Sequence, residues 1–173
     1  MLDIQFDCKG YRFLSVKEED LDELAKWIKE NNKDDHTCYS LDSQIFYRRY
    51  LEYYVTDNES FIKIYKEDRL IAVFKGRVEL EGKFQLFVWL FIMEESARNE
   101  GLGSEIIEII IEYFIREYKI DTIEVGVVGN NLEGISFWSS RNFQVARVSK
   151  DFFEDREEKE RDLVIMKRKN YEK

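Results

Sequence analysis

Residues 91–103 read Phe91-Ile-Met-Glu-Glu-Ser-Ala-Arg98-Asn-Glu-Gly101-Leu-Gly103. An apolar run gives way to a short polar loop, then to Arg-x-x-Gly-x-Gly, then to a long apolar segment. Placed between a strand and a helix, this pattern suits an anion cradle. Glycine has no Cβ, so backbone amides can approach a phosphate closely. The amides of Gly101, Gly103 and Ser104 fall among the donors of a helix's first turn, which has no preceding turn to bond to. The helix dipole adds partial positive charge at the same end. Arg98 contributes a fixed cation able to fork onto two phosphate oxygens. The spacing is not the dinucleotide fingerprint, which needs three glycines and a later acidic residue. A Walker loop is also excluded, because its lysine and spacing are missing.

Outward from this stretch the chain alternates between the two hydrophobic periods. Residues 102–118 form the clearest predicted helix. Glu105, Glu108, Glu112 and Arg116 make one polar stripe, and isoleucines with Phe114 fill the remaining arc. Before it, residues 61–65, 70–78 and 83–93 read as three consecutive strands, with turns at Glu67-Asp68 and Glu81-Gly82. Residues 11–16 read as a short first strand. Leu21, Leu24, Ala25 and Ile28 have the spacing of an amphipathic helix, and residues 41–54 that of a second. Residues 31–40 between them are polar and loop-like. Past the long helix, residues 123–128 read as a strand and 131–141 as a short helix. Residues 144–150 and 163–167 suggest a closing antiparallel hairpin, with the charged run 154–162 at its tip. Strands mixed with helices in this order predict an α/β architecture built on one sheet.

A second block strengthens the first. Residues 131–143 read Asn131-Leu-Glu-Gly134-Ile-Ser-Phe137-Trp138-Ser-Ser-Arg-Asn142-Phe143. Together, Arg98-x-x-Gly101-x-Gly103 and this block resemble the two motifs of the GNAT superfamily of acyl-CoA-dependent N-acyltransferases, in the family's order. Asn131, Phe137 and Phe143 match. Gly134 stands where alanine is usual, Trp138 where tyrosine is usual and Asn142 where glycine is usual. The motifs lie in the C-terminal half; the N-terminal half resembles the family in its order of elements. The resemblance implies a single domain over residues 1–173. Its fold would be a mixed, mostly antiparallel sheet with helices on both faces, splayed between the fourth and fifth predicted strands, residues 83–93 and 123–128.

The resemblance also implies a chemistry. Acetyl-CoA, as acyl donor, would sit in that splay, and no metal is called for. Its pyrophosphate would rest on the loop Arg98, Asn99, Glu100, Gly101, Leu102, Gly103 and Ser104. Its pantetheine arm would pair with backbone near Ile92 and Met93, and Asn131, Phe137 and Trp138 would line it. Asn131 is equally a good helix N-cap, and one residue can serve both ends. The acceptor would be a small-molecule or peptide amine. A lysine-like amine must first lose its proton, at a cost of about 4.6 kcal/mol at neutral pH. A general base offsets part of that. The family's usual acid is the tyrosine that Trp138 replaces, and an indole N–H has no useful acidity. The fourth-strand positions that often carry a base align with the apolar Phe87 and Trp89. Glu94 is therefore the catalytic candidate, with water-borne proton transfer as its alternative. Asp34, Asp35 and His36, in the loop that borders the family's acceptor site, are the acceptor-binding candidates.

Composition sets the bounds. A chain of 173 residues, 44% hydrophobic and 15% aromatic, is long and apolar enough for one folded core. Its net charge of −9 repels phosphate backbones and argues against nucleic-acid partners. Cys8 and Cys38 show no metal spacing and fit a reduced setting. The start MLDIQFDCKG has no signal-peptide character, and no apolar run is long enough for a membrane span. These readings point to a cytoplasmic chain without a membrane partner, and the resemblance admits a homodimer. Two functions follow: an N-acetyltransferase acting on a primary amine, or an acyl-CoA-binding module without catalysis, which Trp138 and the apolar fourth strand favour.

Overall fold

In the computed structural model, residues 1–32, 43–153 and 162–170 are described. Tight turns build the first half of the sheet. Lys9 and Gly10 both take positive φ (49° and 82°) and join β1 (Gln5–Cys8) to β2 (Tyr11–Ser15). Glu67 and Asp68 do the same (50° and 62°) between β3 (Glu59–Lys66) and β4 (Arg69–Glu79). Two consecutive left-handed residues match the twist of an antiparallel pair, which is why such turns close hairpins. The remaining strands are β5 (Gln85–Met93), β6 (Thr122–Val128), β7 (Gln144–Ser149) and β8 (Leu163–Lys169). Among the described residues the sheet runs β1-β2-β3-β4-β5-β6-β8-β7, with β5 and β6 parallel and the other neighbouring strands antiparallel.

Helices cover both faces. On one, α3 (Leu102–Tyr118) buries Ile106, Ile110 and Phe114 against Phe13, Phe74 and Leu86. On the other, α1 (Leu21–Asn31) and α2 (Ser43–Val55) bury Leu24, Ile28 and Tyr53 against Phe61, Val73 and Ile92. A short helix, α4 (Leu132–Ser139), follows β6. Among the described residues, no helix is long and apolar enough to cross a membrane.

The sheet comes apart at one place. In the β4–β5 ladder, Lys75 pairs with Leu90 and Gly76 with Val88, so Trp89 is an extra residue. Its effect is visible in the packing. Leu86 and Val88 belong to the core under α3, whereas Leu90 and Ile92 belong to the core under α1 and α2. Residues of one parity share a strand face, so only an inserted residue moves them across. Such a bulge also bends its strand. The parallel pairing of β5 with β6 ends at Val88 and Val125, just where the bulge begins. Beyond it the two strands part.

The sheet, its splay and the helices on both faces agree with the sequence reading. The differences are local. β1 is an additional strand that the reading leaves out. Its four residues bury no face completely, so hydrophobic period carries little signal there. Asn31, read as loop, is the last residue of α1 and is buried. Strand β8 lies between β6 and β7, so the closing hairpin inserts its second strand into the sheet.

Candidate functional site

The parting of β5 and β6 leaves a cavity of about 400 Å³. That is within the range of pockets that hold small organic ligands. Its walls come from β5, β6, α4 and the loop before α3.

That loop is shaped by two left-handed residues, Asn99 (φ 64°) and Gly101 (φ 79°). Gly101 is the N-cap of α3, and its carbonyl accepts from the amides of Ser104 (3.1 Å) and Glu105 (3.2 Å). The Ser104 amide is thus used inside the turn, leaving the earlier amides of the loop as the cradle's donors. Gly103 keeps the wall open. A Cβ there would stand 3.4 Å from Met93 and 3.5 Å from Phe137, filling the gap between them.

Arg98 lines the cavity and also ties its elements together. Its Nε and Nη2 donate to the Met93 carbonyl at 3.2 and 3.1 Å, and Nη2 also donates to the Asn31 carbonyl. Asn31 completes the join, its side-chain oxygen accepting from the Glu95 amide and its side-chain nitrogen donating to the Trp27 carbonyl, both at 2.8 Å. The end of α1, the end of β5 and the cradle are therefore one bonded unit.

A second cation comes from the other side. Arg141 donates to the Ser104 hydroxyl and to the Phe137 carbonyl, and lies 3.6 Å over the Phe137 ring. Burial holds its pKa below the usual arginine value, against the opposing pull of Glu108. A guanidinium so desolvated gains more from an anion than one in water would.

Asn131 caps α4, its side-chain oxygen accepting from the Gly134 amide at 2.8 Å, and also lines the cavity. Trp138 is 5% exposed and packs edge-on against Phe137 and Phe143. The amide of Glu94 bonds to the Ile71 carbonyl across the sheet. Antiparallel strands alternate the direction of their backbone groups. The groups of Met93 and Phe91 therefore face the cavity, and those of Ile92 face β4.

The structure thus gathers Ile92, Met93, Arg98, Asn99, Gly101, Gly103, Ser104, Asn131, Phe137 and Trp138 around one cavity. Glu100 and Leu102 do not line it. Neither does Glu94, whose Oε1 accepts from Arg69 Nε (3.0 Å) and Nη2 (2.6 Å). Asp34, Asp35 and His36 lie outside the described residues. Arg141 is a cation lining the cavity that the motif reading passes over. Its place one residue before Asn142-Phe143 is the signal available in the sequence, and Ser104 recruits it across the fold.

Comparison with known proteins supplies the family. The profile of the acetyltransferase (GNAT) domain matches residues 14–162. No curated protein sequence matches the chain. Among solved structures, a ribosomal L7/L12 alpha-N-protein acetyltransferase superposes with a TM-score of 0.81 at 11% identity, covering 98% of this chain and 96% of that one. A second structure of that acetyltransferase, in complex with coenzyme A, gives 0.77 at 11% identity, over 94% and 95% of the two chains. The ribosomal-protein-S5-alanine acetyltransferase from Vibrio fischeri gives 0.75 at 12% identity, over 98% of both.

Proposed function

Because the chain belongs to the GNAT acetyltransferase family, we propose that it is an N-acetyltransferase acting on a primary amine, with acetyl-CoA as donor. We further propose the α-amine of a peptide or protein as acceptor, as the names of the structural neighbours suggest, and the cytoplasm, where both substrates occur, as its place of action. One observation carries the reading. The β5–β6 opening has a glycine-capped helix start and two arginines at one end and an apolar strand interior at the other. The first end fits a pyrophosphate. The second fits the thinner pantetheine and acetyl groups, with the Phe91 backbone and the Met93 amide facing them.

The neutral amine attacks the thioester carbonyl. A C–N bond forms, the C–S bond breaks, and the proton lost by the amine ends on the departing thiol. Glu94 is held by Arg69, so water at the cavity mouth is the better carrier of that proton. Most of the acceleration would then come from holding the two reactants together. Trp138 supplies packing and no acid. That same absence favours a second reading, an acyl-CoA-binding module without turnover.

The test is release of thiol from acetyl-CoA with a panel of peptide and small amines. Amine-dependent release supports transfer. CoA binding without release from any amine supports the binding module.

A further inference from the structure

The opening between β5 and β6 has a closed end. Val88 and Val125 are the last register partners before the strands part, and both line the cavity. Behind them Leu86 pairs with Ile123, both fully buried and outside the cavity. Paired strands lie about 4.8 Å apart with their hydrogen bonds between them, so nothing passes down the plane of the sheet beyond Val88. The two faces are filled there as well. Val88 and Val125 are 1% and 3% exposed in the core under α3. Gly126, the next residue of β6, points to the opposite face. A Cβ on it would meet Leu163 at 3.2 Å and Phe87 at 3.5 Å, so those side chains close that face. The other end of the opening is the cradle, where Gly103 faces Met93. From Met93 back to Val88 the strand runs about 17 Å, at ~3.3 Å per residue.

We infer that this length is a ruler for the acyl donor, and that Val88 and Val125 limit the acyl group to acetyl. The inference rests on the proposed binding of acyl-CoA and names the residues that set its donor class. With a pyrophosphate at the cradle, the pantetheine arm continues through about a dozen bonds from ester oxygen to sulfur, the length of about four extended residues, or about 14 Å. The carbonyl and methyl carbons of the thioester add about 2 Å more. The methyl group therefore arrives at the Val88–Val125 pair as the opening ends. A butyryl group is two carbons longer, and those carbons have only packed side chains or the β5–β6 ladder to enter. Close-packed interiors do not yield such room without strain. Val88→Ala or Val125→Ala removes two methyl carbons from the closed end, as many carbons as butyryl adds.

The experiment titrates acetyl-, butyryl- and octanoyl-CoA into the wild type, Val88→Ala and Val125→Ala by calorimetry, with no amine present. In the wild type the Kd of butyryl-CoA should exceed that of acetyl-CoA at least about tenfold, the scale on which an apolar pocket reads one or two methylenes. Octanoyl-CoA should bind no better than butyryl-CoA. Val88→Ala and Val125→Ala should bring butyryl-CoA to within about threefold of acetyl-CoA and leave octanoyl-CoA excluded. A loosened fold would weaken all three donors, so a gain confined to one cannot come from damage. The inference is overturned if the wild type binds the three donors within about twofold of one another, if neither variant narrows the gap between butyryl and acetyl, or if octanoyl-CoA gains as much as butyryl-CoA. A wild-type chain that binds no acyl-CoA also overturns it. The ranking needs no turnover, so it fails separately from the transfer reaction. The expected ranking without thiol release from any amine would uphold the ruler and remove the transferase reading. Thiol release at equal rates from all three donors would do the reverse.

Discussion

Gly134 and Asn131 work as one device. The Asn131 side chain caps α4 through the Gly134 amide, and a Cβ on Gly134 would lie 2.7 Å from Asn131 Nδ2. Alanine is usual in the family at this position; here it would push the cap out. Gly134→Ala and Asn131→Ala should each cost about 1 kcal/mol, the value of one N-cap. The double variant should cost little more than either, since both remove the same bond. Urea midpoints at constant m-value measure this. Arg141→Gln should weaken CoA by about 1–3 kcal/mol, as a lost contact between a charge and a phosphate would. Calorimetry reads it directly. Trp138→Phe should retain most of the turnover, because the position supplies packing; a collapse with normal CoA affinity would show that the indole N–H is needed. At this scale the sequence is partly transparent. Gly101 and Asn131 are legible because each caps its own turn, and Arg98 and Gly103 because they stand in the same short motif as Gly101. Arg141 is not, because its role comes from Ser104, 37 residues away.

Between elements, the decisive features are a bulge and a joint. The inserted Trp89 turns β5 and ends its pairing with β6, which is what opens the site. Nothing in the run from Phe87 to Phe91 announces an extra residue, since apolar residues fill every position. The joint is Asn31, which sits 8% exposed at the end of α1 and bonds to Glu95, Trp27 and Arg98. Asn31→Ala would leave the Glu95 amide without its acceptor, at a cost of about 1–3 kcal/mol. The bonds from Arg98 go to the backbone carbonyls of Asn31 and Met93, which the substitution keeps, so CoA affinity should stay close to that of the wild type. A parallel loss of CoA affinity would mean that the Asn31 side chain, through the end of α1, also sets the pose of Arg98. The polar residues 31–40 read as loop because helix propensity says little about where a helix ends. The side-chain bonds of Asn31 decide it.

Across the whole molecule, the order of elements was legible because each long segment has one clear hydrophobic period and the turns carry Gly, Asp or Asn where left-handed backbone is needed. The strand order was less so, since β8 enters the sheet between β6 and β7 through long-range pairing. The buried tyrosines make stability depend on alkaline pH. Burial, then the hydrogen bond to Glu105, pushes Tyr11 from 10.0 to about 12, and burial pushes Tyr53 to about 12 as well. Below pH ~10 both are protonated in the folded and unfolded chain alike. Between roughly 10 and 12 the unfolded chain loses protons that the fold retains, so stability should fall over that window. Tyr11→Phe should flatten part of the fall in denaturation midpoints. The most direct test of the whole structure is a calorimetric titration of CoA into the wild type and into Gly103→Leu, whose side chain would fill the gap between Met93 and Phe137. One CoA should bind per wild-type chain, and binding should vanish in a variant that still melts cooperatively. Equal affinity in both proteins would place CoA somewhere other than the β5–β6 opening.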